Sequence, residues 1–101
     1  MAVINPVVMF RGAASTTSTT LYTVPAATVS TVTSIVVTNT AASSATFSIL
    51  FDGVAAFGTT TLAANSTGIF DVKQVLAATK TITGLASATT VNFHISGTEK
   101  V

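Results

Sequence analysis

Three features of the sequence predict an all-β fold. Candidate strands recur about every 10 to 14 residues with turn residues between them. β-Branched Thr and Val dominate throughout, as suits a pleated, half-buried surface. No amphipathic stretch reaches the length of a typical helix. Together they point to a single antiparallel β-sandwich or jelly-roll-like barrel of about seven to eight short strands, with an N-terminal apolar arm. The expected organisation is an arm and polar linker over 1–20 and a β-sandwich domain over 21–101.

Met1 to Gly12 (MAVINPVVMFRG) is the arm. Val3, Ile4, Val7, Val8, Met9 and Phe10 place six large apolar side chains ahead of a polar stretch, and each stabilises by about 1.5–3 kcal/mol when buried. Two readings stand: a first strand of the sandwich, or a segment that packs on a neighbouring protein by strand addition. On the second, deleting residues 1–12 leaves a folded domain that no longer joins its assembly. Ala13 to Thr20 (AASTTSTT) reads as a linker or an extended, solvated strand. Leu21 to Val24 is a short strand that Pro25 confines to an edge or a strand end.

Val29 to Thr38 (VSTVTSIVVT) is the longest β-rich run. Simple alternation turns Val29, Ile35 and Val37 to one face and Val32 and Val36 to the other, so both faces are covered. Asn39 to Ser44 is a loop. Thr46 to Phe51 alternates: Phe47, Ile49 and Phe51 inward, Thr46 and Ser48 outward, with Leu50 also outward. Asp52-Gly53 predicts a tight hairpin, because both positions tolerate positive φ. The return strand covers Val54 to Leu62, and Ala63 to Ser66 turns the chain again. Gly68 to Val72 is a short strand, after which Val72, Val75, Leu76 and Thr79 have the spacing of a helical turn. Lys80 to Leu85 and Thr90 to Ser96 close the pattern, the latter with Val91, Phe93 and Ile95 alternating against Asn92, His94 and Ser96. Gly97 to Val101 reads as a charged tail.

The composition excludes several functions. With 101 residues there is room for one domain. Four Lys+Arg against three Asp+Glu cannot supply the basic footprint of nucleic-acid binding, so no direct nucleic-acid partner is expected. Absence of Cys excludes disulfides and Cys-based metal sites. Only 7% of residues are charged; 21 Thr and ten Ser do the solubilising instead. No run of 18 or more apolar residues marks a membrane helix, so no membrane partner is expected. Asn5 and Pro6 break the first apolar stretch and Arg11 follows it, the wrong order for a signal peptide, so synthesis in the cytoplasm is expected.

Candidate chemical sites are few. His94, the sole His, would need a nucleophile and an orienting acid to act as a base, and it sits on the polar face of its strand. Asp52, Asp71 and Glu99 are the only carboxylates; Asp52 serves a turn and Glu99 falls in the tail, so neither a glycosidase pair nor a metal cage is expected. No phosphate-binding Gly-rich motif occurs. Asn65-Ser66-Thr67 matches a glycosylation acceptor but reads as a turn. Thr31/Thr33, Thr38/Thr40 and Thr81/Thr83 lack the fixed period of an ice-binding array and follow strand propensity. No catalytic residue, metal ligand or cofactor is assigned.

Three segments carry a resemblance. Leu21 to Thr40 (LYTVPAATVSTVTSIVVTNT), Leu62 to Thr67 (LAANST) and Val75 to Ser87 (VLAATKTITGLAS) together resemble small β-sandwich proteins from the structural gene modules of tailed bacteriophages. The resemblance spans roughly residues 21 to 97. Many such proteins carry Gly-Asp where this chain has Thr79-Lys80. It implies a non-enzymatic virion component, either a capsid decoration (cement) protein or a small tail, neck or fibre-associated protein. It also implies the major capsid protein or other virion proteins as partners, and a homotrimer like those that plug capsid three-fold positions. The contact residues expected from the sequence are Val7, Val8, Met9, Phe10 and Arg11 of the arm, with Val32, Val36 and Leu50 on outward faces. Two rivals are a host-surface or carbohydrate-binding module, which the single Tyr22 and absence of Trp disfavour, and a small hydrolase built on His94.

Overall fold

A computed structural model describes residues 3–101. They form eight strands and no helix: β1 (Ile4–Ala13), β2 (Thr19–Thr23), β3 (Val29–Asn39), β4 (Ala45–Phe51), β5 (Val54–Leu62), β6 (Ser66–Leu76), β7 (Thr81–Ala86) and β8 (Val91–Lys100). Two four-stranded antiparallel sheets result, sheet A in the order β1-β8-β3-β6 and sheet B in the order β2-β7-β4-β5. The first strand pairs with the last, the second with the seventh, the third with the sixth, and the fourth with the fifth. One long hairpin rolled over itself gives this order, so the fold is a jelly-roll β-sandwich, as the sequence predicts.

The roll turns at Asp52-Gly53, where φ is 54° and 77°. Both residues in the left-handed region make the hairpin turn whose twist matches the flanking strands. Alternation then sorts side chains. Along β4, β7 and β8 every second residue is buried, and the fully buried Phe47, Phe93, Ile35, Ile49, Ile82 and Ile95 fill the space between the sheets. Phe47 lies at the centre of the aromatic group, with ring centroids 5.9 Å from Phe57, 6.1 Å from Phe70 and 6.1 Å from Phe93. Asn39 ends β3 as a buried polar staple. Its amide donates to the Ser43 carbonyl at 2.9 Å, while its carbonyl oxygen accepts from the Ala41 amide at 3.1 Å. A buried amide is tolerated when its groups are paired in this way.

Five expectations meet the structure, two of them readings left open and three of them corrected. Of the two readings of the arm the structure shows the first strand: residues 4–13 are β1, hydrogen-bonded to β8 at the edge of sheet A. Met1 and Ala2 lie outside the described residues. The expected linker is partly strand, since β2 begins at Thr19, and Ala14 donates to the Val91 carbonyl at 2.8 Å. The phase of β3 changes at a bulge between Val32 and Ser34, which makes Val32 a core residue and leaves Val29 exposed. The spacing that suggested a helical turn after Val72 belongs to strand β6, which runs to Leu76. The charged tail is also strand, because β8 runs to Lys100.

Candidate interaction surface

The outer face of sheet A presents rows of side chains across its four strands. One row runs Arg11, His94, Val36, Ile69; the next runs Val8, Ser96, Ser34, Asp71; a third runs Pro6, Thr98, Thr31, Val75. Most of the exposed large apolar residues belong to this sheet: Ile4, Val8, Val29, Ile69 and Val75. These apolar side chains are interspersed with Arg11, His94, Asp71, Ser and Thr, so the face is mixed in character.

Sheet B differs. None of its four strands carries an Asp, Glu, Lys, Arg or His. Its outer face offers Thr46, Ser48, Thr83 and the half-buried Leu50 and Leu85, with Leu50 opposite Thr83 and Ser48 opposite Leu85. The nearest charges, Asp52 and Lys80, stand at one end of the sandwich as an exposed ion pair at 3.8 Å.

The expected contact residues divide accordingly. Val8 and Arg11 are exposed on the outer face of sheet A, and Val36 is half-buried there. Leu50 lies on the outer face of sheet B. Val7 and Phe10 are half-buried and pack on the core. Met9 and Val32, at 6% and 0% exposure, are core residues and cannot touch a partner in the folded chain. For Val32 the cause is the bulge at Thr33; Met9 is buried because β1 is a strand of the sandwich, in which Val7 and Met9 alternate inward against the exposed Val8. The extra residue in β3 reverses the alternation that places neighbours in or out, and the one in β1 brings Phe10 to the inner side beside Met9. Sequence reasoning missed Val75 because it gave the residues after Val72 the spacing of a helical turn, and missed Ile69 because the short Gly68–Val72 strand was not assigned an outward face. Their signal is the alternation Ile69, Asp71, Lys73, Val75 outward against Phe70 and Val72 inward.

The chemical groups are dispersed. His94 sits between Arg11 and Val36, with Asp71 on the far edge strand of the sheet. Among the described residues no three His, Asp or Glu side chains gather where they could hold a metal ion. Glu99 points into the sandwich and accepts a hydrogen bond from the Tyr22 hydroxyl, which also lies 2.8 Å from Ser30 Oγ. Tyr22 thereby links sheet B to sheet A. Burial pushes its phenol pKa above the usual 10.0, and the Glu99 carboxylate acts in the same direction. The Tyr22 ring itself is half-buried and packs against the core. Asn65 lies in the turn before β6 with φ of 52°.

No protein-family model matches the chain, and no curated protein matches its sequence. Among solved structures it is similar to a chain in the crystal structure of the T13 IBDV viral particle, with a TM-score of 0.57 and 10% sequence identity. The likeness covers 98% of this chain and 30% of that one. At that identity the likeness is one of fold: the whole roll, from β1 to β8, corresponds to somewhat under a third of the larger chain.

Proposed function

We propose that this chain is a virion structural protein, and within that class a capsid decoration (cement) protein of a tailed bacteriophage that stabilises the head by bridging capsid subunits. The observation that supports this best is the likeness of fold, over 98% of the chain, to a component of an icosahedral viral particle. The resemblance of residues 21–97 to phage structural-module proteins supports the narrower reading. Jelly rolls serve many functions, so surface chemistry must add to topology. Here an uncharged sheet B and an apolar-studded sheet A suit repeated protein contacts, and no catalytic role is proposed. Three copies grouped at a three-fold position are part of the same proposal.

The mechanism is mechanical. A protein that binds only the assembled lattice lowers the free energy of the closed shell by mass action. Contacts weak in isolation add up when symmetry repeats them. The test is copy number on purified particles by quantitative mass spectrometry. Hundreds of copies on heads support cement. A dozen or fewer move the protein to the tail, neck or fibre base, which the same fold serves. Absence from particles overturns the virion reading.

A further inference from the structure

We infer that the free edge of β6 is a self-recognition strand, which pairs antiparallel with β6 of a second copy about a two-fold axis at Val72. β6 is the edge of sheet A, hydrogen-bonded to β3 alone. An unpaired edge of 11 residues offers a row of backbone donors and acceptors to an incoming strand. Its alternation of half-buried and exposed side chains is unbroken from Ser66 through Lys73.

The sequence of that edge is self-complementary in one register. With Val72 opposite Val72 of the partner subunit, Asp71 faces Lys73 of the partner subunit, and Lys73 faces Asp71 of the partner subunit. On the same face Ile69 meets Val75 of the partner subunit, and the converse pair follows by symmetry. Opposite charges and apolar pairs directly across an antiparallel ladder both stabilise it. Ile69 and Val75 are 71% and 68% exposed in the single chain, so they have no cover of their own. Among the described residues neither Asp71 nor Lys73 takes part in an ion pair within the chain. Charges on an edge strand ordinarily prevent pairing. Here they oppose parallel or shifted registers and favour this one, because a slip by two residues brings Lys73 against Lys73 or Asp71 against Asp71. On the inner side, Val72 borders a groove of about 360 Å³ lined also by Phe51, Val54, Ala55, Phe57 and Gln74. The two-fold axis brings the two grooves side by side. The contact is isologous and closes on itself. It does not depend on what the chain does, and within a shell it would link neighbouring groups of copies.

The test is a charge swap in the full chain, read by sedimentation equilibrium at low salt, with thermal melts to confirm folding. The wild type is expected to show a two-fold association. Asp71→Lys and Lys73→Asp each place like charges opposite one another twice across the axis and should weaken it by about tenfold or more. The double variant D71K/K73D restores the pairing in reversed sense and should return the constant to near the wild-type value. A wild type that stays monomeric at millimolar concentration overturns the proposal. Singles that associate like wild type, or a double variant no better than the singles, overturn it as well. Copy number on particles is a separate readout, so failure here leaves the virion reading intact.

Discussion

The Met9 side chain lies directly over Gly97. A Cβ at 97 would stand 2.7 Å from Met9 Cε and 2.1 Å from the Thr31 carbonyl oxygen. Met9 occupies the β1 bulge, and Gly97 sits beside the β3 bulge, opposite both Val7 and Val32. Two bulges on either side of β8 thus depend on one residue without a side chain. Gly97→Ala should cost about 3 kcal/mol, since overpacking a rigid site commonly costs about 1–3 kcal/mol and backbone cannot yield as a side chain can. Urea unfolding measures the loss. Adding Met9→Ala should not rescue it, because the Thr31 carbonyl remains; recovery in the double variant would refute this account.

The same bulges set the limit of what the sequence disclosed. Clean alternation in Thr46–Phe51 and Thr90–Ser96 made Phe47, Ile49, Phe51, Val91, Phe93 and Ile95 legible as core, and all are buried. The Asp52-Gly53 hairpin was legible because few other pairs accept two positive φ angles. Val32 was not, since an extra residue shifts the phase without a compositional mark; nor was Met9, since the apolar arm reads equally as a strand or as a contact segment until β1 is seen to pair with β8. The surface was legible in kind, as charge-poor and Thr-rich, but not in place. Ile69 and Val75 become neighbours of Val36 and Thr31 only once β6 pairs with β3.

Thr79 adopts a φ of 72°, in the turn between β6 and β7. A β-branched residue is strained in that region, whereas Gly enters it freely. Glycine at position 79 would take this backbone conformation without the Cβ clash that Thr meets. Thr79→Gly should therefore stabilise the protein by about 1 kcal/mol, the strain relieved outweighing the entropy Gly adds to the unfolded chain. The neighbouring Lys80 keeps its exposed pair with Asp52, which contributes little either way. A lowered midpoint in thermal or urea unfolding contradicts the prediction.

Tyr22 gives the fold an alkaline limit. Its folded-state pKa lies above 10.0 because burial and the Glu99 carboxylate oppose the phenolate. Between the unfolded and folded values the native chain holds a proton that the unfolded chain has released. This contribution is complete below pH about 10 and disappears as pH rises through the folded value. Unfolding followed from pH 8 to 11 should show a decline in stability that Tyr22→Phe removes. The variant should be less stable at neutral pH, where Glu99 and Ser30 lose their shared partner. An identical slope for both proteins would assign the alkaline loss elsewhere.

Deletion of residues 1–12 tests whether the first strand belongs to the sandwich. β1 contributes the buried Met9 and the core-packed Val7 and Phe10, and its removal strips the ladder from one side of β8. At about 1.5–3 kcal/mol for each large apolar side chain buried, the loss approaches the whole stability of a domain this size, about 5–15 kcal/mol. The bared β8 would also become a flat, uncovered edge, prone to pair with other chains. The truncated protein should therefore lack a cooperative thermal transition and aggregate on expression. A soluble truncation with a wild-type melting curve would instead make β1 an accessory strand, free to be exchanged with a neighbour. Since Met9 and Gly97 hold the two strands together in the interior, the expected outcome is collapse of the sheet.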